Sequence, residues 1–319
     1  MDTLQVSLFG KMSVSWAGGT EDLHCGSTKA RELFAYLALH RERPHSRERL
    51  GSLLWNHVST KRSKAYLRKA LWQLQHAPIA RPFGAPAPSD GGAAGSETPE
   101  GLLVVDGSWV QLNPRARIWL DVDVFEAAFR AVRDQDVDAM SPAVAEALQQ
   151  AVALYTSDLL ENWYRDWCLL ERERLQDVYL MALGKLAHYA ERHGSYDTGI
   201  GYGLRMLEVD PARECAHRRL MRLRYLSGDR TGALRQYVRC ADVLDAELGV
   251  QPSTATRQLY ENVQSDALHP APEPNSPSRP PTASDGLDRI RALQQKLQGL
   301  QSQIRREIEA VEMVIERRR

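Results

Sequence analysis

Four pairs of residues that stand 34 apart constrain this chain more than any other feature: Leu186 with Leu220, Gly194 with Gly228, Ile200 with Leu234, and Leu204 with Val238. A period of that length fits one antiparallel helix pair per unit, with Gly194-Ser195 and Gly228-Asp229 at the turn inside each pair. Such a unit cannot bury its apolar face alone, so the units must stack. Pro211 and Pro252 are 41 apart instead of 34, which leaves the second unit room for a longer second helix. The residues around the repeat read as helices too. Asp121 to about Arg133 places Val124, Phe125 and Phe129 on one face, and Ser141-Pro142 opens a helix that reaches Tyr155. Asp166 to about His193 carries Trp167, Leu170, Leu175, Tyr179, Leu183 and Leu186 at helical spacing, and a helix from Ser253 to about Asp266 closes the array.

The first 120 residues have another texture. Leu4, Val6 and Leu8, then Met12, Val14 and Trp16, alternate as two short strands do. Ser27 or Thr28 caps a helix with a stripe of Ala30, Leu33, Phe34 and Leu37, and Ser46 starts a second helix through Leu50, Leu53, Leu54 and Trp55. The third helix lies in HVSTKRSKAYLRKALWQLQH, His57 to His76. Its apolar positions, Leu67, Ala70, Leu71 and Leu74, share one face, while Lys61, Arg62, Lys64, Arg68 and Lys69 occur with no acidic residue among them. After it comes a stretch rich in Pro, Gly, Ala and Ser, then LLVVDGSWVQL, two β-prone runs about Asp106-Gly107 that signal a hairpin. Strands, three helices and a hairpin in this order predict a winged helix-turn-helix, whose third helix enters the DNA major groove.

Charge points the same way. The net charge is zero, yet between Ser27 and Arg81 there are 12 basic residues against 3 acidic ones, while residues 121–266 hold 17 against 24. Only the first part is suited to meet a polyanion. A membrane protein and a secreted one are not expected: no apolar run approaches membrane length, and MDTLQVSLFG lacks the marks of a signal peptide. Cys25, Cys168, Cys215 and Cys240 form no CxxC pair and read as buried reduced thiols of a cytoplasmic protein. An enzyme is not expected either. The nine histidines include no HExxH, there is no GxSxG and no phosphate loop, and His188 and His193 are five apart, off the usual zinc spacing. The paired Asp121 and Asp123 stand where a helix begins and read as caps. No cofactor or metal is implied.

The expected architecture is therefore an α+β winged helix-turn-helix over 1–118, with a flexible insert over 81–101, followed by an all-α tetratricopeptide-like domain over 119–268. A Pro-rich linker, 269–285, leads to a coiled-coil helix, 286–319, in which Ile290, Leu293, Leu297, Leu300 and Ile304 alternate steps of three and four.

KARELFAYLALHRERPHSRERLGSLLW, AYLRKALWQL, ALYTSDLLENWYRDWCLLERERL and ALRQYVRCADVLDAELGVQPSTATRQLY, with the hairpin, resemble the bacterial transcriptional activators known from antibiotic regulatory proteins. That family joins an OmpR-type winged helix to a bacterial transcriptional activator domain with tetratricopeptide-like repeats. The resemblance spans residues 4–266. It implies a bacterial protein that binds direct repeats in double-stranded DNA near a promoter, as a homodimer, and recruits RNA polymerase. Two departures stand out: Gln73 and Gln75 occupy positions where relatives carry arginines, with Trp72 in place of a small polar residue, and no ATPase motif is present.

The DNA-contacting set is expected to be Lys61, Arg62, Lys64, Arg68 and Lys69 on phosphates and some base edges, Trp72 and Gln73 on base edges or thymine methyl groups, and His76 at the end of the groove face. The other reading is an adaptor whose helical array binds a protein and whose winged helix does not bind DNA.

Overall fold

A computed structural model describes residues 3–19, 22–80 and 101–268. The expected insert up to residue 100, the Pro-rich linker and the coiled-coil helix lie outside them.

Strands β1 (Leu4–Ser7) and β2 (Ser13–Trp16) pair antiparallel, with Leu4 opposite Trp16 and Ser7 opposite Ser13. Their alternation buries Leu4, Val6, Leu8, Met12 and Val14. The helix α1 (Thr28–Leu39), the two-residue strand β3 (His45–Ser46), and the helices α2 (Arg47–Leu54) and α3 (Thr60–His76) follow. Ser27 and Ser46 cap α1 and α2, their hydroxyls accepting from the N–H groups of Ala30 and Arg49. Strands β4 (Leu103–Asp106) and β5 (Trp109–Leu112) form the hairpin, which turns at Gly107 with φ of 51°. That left-handed conformation favours glycine. β3 pairs with β5, His45 opposite Val110, so the wing sheet runs β3-β5-β4. Strand β6 (Ile118–Leu120) then returns to lie parallel to β1, giving a second sheet in the order β2-β1-β6. Two and three residues are too few to show alternation, so neither β3 nor β6 is legible in the sequence.

Helices α4 (Asp121–Val132), α5 (Pro142–Leu154), α6 (Asp166–Arg192), α7 (Tyr196–Val209), α8 (Glu214–Leu226), α9 (Arg230–Leu248) and α10 (Thr254–Gln264) make the rest of the described chain. The 34-residue pairs map onto α6 with α7 and α8 with α9, and Gly194 and Gly228 turn within each pair at φ of 68° and 88°. At 19 residues α9 is longer than α7 at 14, as the proline spacing predicts. Leu186 and Leu220 are buried, but Leu204 and Val238 face outward. Two other residues depart from expectation. Val124 and Leu170 are exposed, because the buried stripe of α4 is Val122, Phe125, Phe129 and Val132, and α6 turns Trp167 and Cys168 inward instead. Of the four thiols, Cys215 is exposed.

The two parts share one core. Phe9, just past β1, meets Phe125 of α4 edge to face at 5.5 Å and Tyr155 at 4.7 Å. The backbone N–H of Leu160 donates to Leu8 and that of Glu161 to Gly10, at 2.8 and 2.9 Å. Arg172 holds the segment that makes these bonds, donating to the carbonyls of Leu159, Leu160 and Trp163. Asp121 is the polar link: it is buried, one oxygen accepts from the N–H of both Leu8 and Phe9, and the other accepts from Val122. Burial pushes its carboxyl up to about 6 despite those three donors. Asp123 pairs with Arg41 of the first part instead of capping α4. β6 runs through the 118/119 junction, so the chain passes between the two parts inside a sheet.

Candidate nucleic-acid interface

The third helix is built from one face outward. Ser63, Leu67, Ala70, Leu71 and Leu74 of α3 are buried. They dock on α2, with Gly51 against the Ser63 hydroxyl, and on α1. At 3.6 residues per turn the opposite face is centred on Lys61, Ala65, Arg68, Lys69, Trp72 and His76, with Arg62 and Lys64 at its two edges. All eight are exposed. Among the described residues none of Lys61, Arg62, Lys64, Arg68 and Lys69 pairs with an acidic side chain. Their charge has no counter-ion among the described residues, and the side chains project into solvent.

The scaffold that fixes this helix is itself polar and specific. Lys29 of α1 donates to the Leu54 carbonyl at the end of α2, where a cation meets the negative end of the helix. Its ammonium also pairs with the buried carboxylate of Glu32 at 2.7 Å and lies 5.7 Å from the centre of the Trp55 ring. Arg165, just before α6, approaches the same carboxylate at 3.3 Å. One buried glutamate thus ties the bracing helices to the helical array.

Seven of the eight expected site residues lie on or beside the exposed face. Gln73 does not. Its side-chain oxygen accepts from the Ser27 hydroxyl at 2.7 Å, and its Cβ packs against Gly26, so it joins α3 to the cap of α1. Its position, 100° round the helix from Trp72, turns it toward α1 and away from a groove. Trp72, by contrast, is 59% exposed. The His76 ring stacks on it at 4.5 Å with a 27° tilt, and His76 Nδ1–H donates to the Trp72 carbonyl at 2.8 Å.

Sequence reasoning missed Arg47. It opens α2, its N–H donates to the Ser108 carbonyl at 2.7 Å, and with Glu48, Lys64, Leu67, Arg68, Gly107 and Ser108 it lines a cleft of about 370 Å³ between α2, α3 and the wing turn. Three cations against the single carboxylate of Glu48 leave the cleft net positive, which suits a phosphate. The missing signal was β3, since only its pairing with β5 brings residue 47 beside residue 108. The wing itself carries little charge: from Leu102 to Leu112 it has Asp106 and no Lys or Arg, with Val104, Val105 and Trp109 exposed. Among the described residues no cluster of His, Cys, Asp and Glu could hold a metal, and no helix is long and apolar enough to cross a membrane.

Residues 120–264 match the family of the bacterial transcriptional activator domain. No curated protein sequence matches the chain. Among solved structures, Mycobacterium tuberculosis EmbR, in complex with a low affinity phosphopeptide, is similar in fold, with a TM-score of 0.65 and 19% identity over 84% of this chain and 67% of that one. The C-terminal TPR-containing domain of a Plasmodium falciparum FK506-binding protein also aligns, at 14% identity over 46% of this chain and 87% of that one, but its TM-score of 0.33 is too low to carry an argument. Residues 120–264 thus belong to the bacterial transcriptional activator domain family, and a winged helix-turn-helix stands ahead of them in the chain.

Proposed function

We propose that this regulator binds double-stranded DNA through α3, lying in the major groove, and activates transcription from direct repeats near a promoter by contacting RNA polymerase. The observation that carries the reading is the exposed face of α3, where five cations stand without an acidic partner among the described residues, opposite a fully docked apolar stripe. Lys61, Arg62, Lys64, Arg68 and Lys69 supply phosphate contacts and part of the base readout, and Arg47 joins Lys64 and Arg68 on a phosphate at the wing cleft. Phosphate contacts of this kind set affinity and register, while the side chains in the middle of the face read bases. The acidic helical array is a poor ligand for DNA and is left to contact protein. The heptad spacing after residue 286 supports a homodimer, which two half-sites would engage together. The work is done in the bacterial cytoplasm, where promoter and polymerase are.

Mobility-shift assays of the full chain with Arg68→Ala and Lys69→Ala combined test this. Both side chains are exposed, so the variant keeps its fold, and it is expected to lose promoter shifts. Unchanged affinity would sink the assignment of α3.

One observation favours a second reading, the protein-binding adaptor: a wing that shows Val104, Val105 and Trp109 and a single acidic charge is unlike a surface made for phosphates. Failure of the purified protein to retain any genomic DNA fragment at low salt selects that reading over the first.

A further inference from the structure

We infer that the Trp72–His76 stack is a thymine reader: an apolar plate on α3 that selects the C5-methyl group of thymine in the major groove. This rests on the DNA-binding reading above and specifies what its central residues recognise.

Trp72 stands in the middle of the exposed face, with cations at Arg68 and Lys69 one turn before it. Trp72 is 59% exposed, an apolar surface that a solvated helix face gains nothing from showing. His76 stacks on one side of the ring, 27° from parallel, and makes its own bond to the Trp72 carbonyl, which favours this rotamer of the pair. A side chain already biased to one rotamer gives up less rotamer freedom on binding. Of the groups that base pairs offer in the major groove, the thymine methyl is the apolar one. The amide of Gln73, which in the free state would favour adenine, is already engaged by Ser27 and leaves the readout to its neighbour.

Two alternatives are weaker on the same geometry. Wedging between base steps is the work of lone apolar side chains in the minor groove, and here one indole face is covered by His76 and the surroundings are cationic. Stacking on an extruded base meets the same covered face. Ala65 lies seven residues before Trp72 on the same line, about 10 Å along the helix axis, and Arg68 falls between them. The strip therefore alternates apolar, cationic and apolar groups over about three base steps.

The test uses the full chain and a random duplex library from which bound sites are selected, then one selected site synthesised with uracil in place of the thymine that selection fixes. Uracil keeps the base pair and the O4 acceptor and removes only the methyl. The wild-type chain is expected to lose about fourfold in affinity on that change, the equivalent of about 0.8 kcal/mol for one buried carbon. Trp72→Ala, at an exposed position and with unchanged melting, is expected to bind the two duplexes alike, and Trp72→Phe to keep part of the difference. Equal binding of both duplexes by the wild type overturns the inference. So does selection that fixes no thymine, or a Trp72→Ala variant that discriminates as well as the wild type. Retention of no duplex at all by the wild type at low salt is a different failure, of the DNA-binding reading itself.

Discussion

At the scale of single residues, three glycines of α7 show how tightly the helical array is cut. A Cβ placed on Gly203 would stand 2.7 and 2.8 Å from Leu220 side-chain atoms of α8, closer than packed atoms approach. Gly201, two residues away on the same helix, has nothing within 4 Å. Alanine favours a helix interior over glycine by about 1 kcal/mol at either site, so packing decides the sign. Gly201→Ala is expected to stabilise the protein by about 0.5 to 1 kcal/mol. Gly203→Ala is expected to destabilise it, since overpacking of about 1 to 3 kcal/mol offsets the helical gain. Denaturant unfolding of the two variants reads both, and equal effects would show that α7 and α8 are less closely packed than this. A Cβ placed on Gly199 would stand 3.1 Å from both Leu223 methyls, so the same face of α7 is shaved at two levels.

At the scale of elements, α3 has a docked face and an exposed one, and Gln73 belongs with the docked one. Gln73→Ala removes the acceptor of the Ser27 hydroxyl and so loosens the join between α1 and α3. The expected cost is about 0.5 to 1.5 kcal/mol of stability, with base preference in a duplex selection unchanged. A shifted preference with intact stability would return Gln73 to the reading face. This was the part of the site that the sequence hid. Periodicity separates Leu67, Ala70, Leu71 and Leu74 from the cations without help, because those residues differ in kind. It says nothing about a polar residue at the margin, whose direction depends on whether a partner such as Ser27, 46 residues earlier, lies within reach. The fold was legible for the same reason that Gln73 was not. Ser27, Ser46, Ser141 and the Asp106-Gly107 turn announce their elements locally, whereas β3, β6 and the place of Arg47 exist only through distant pairing. That the wing holds apolar residues and no Lys or Arg is plain in the letters, but the exposure of Val104, Val105 and Trp109 is not.

At the scale of the whole molecule, winged helix and helical array are one packed body over the described residues, joined through Phe9, Arg172, Glu32 and Asp121. That makes the junction sensitive to pH. The folded chain holds the Asp121 carboxyl at about 6 against an ordinary value of 3.8, so between those values the folded state binds the proton more tightly than the unfolded one. Stability from this group therefore rises as pH falls from about 6 to about 4. Asp121→Asn does not titrate, so the wild type is expected to gain on the variant by on the order of 2 to 3 kcal/mol between pH 7 and pH 4. Unfolding curves at a series of pH values give the difference directly, and a gap that stays constant or narrows would contradict it. The most direct measurement of the central claim is the salt dependence of binding to duplex DNA for the wild type and for the variant with both Arg68→Ala and Lys69→Ala. If α3 lies against the backbone with its five cations, the logarithm of affinity falls with the logarithm of salt with a slope of about four to five per protomer, and the double variant lowers that slope by about two. A wild-type affinity indifferent to salt, or a double variant with the same slope, would contradict the account.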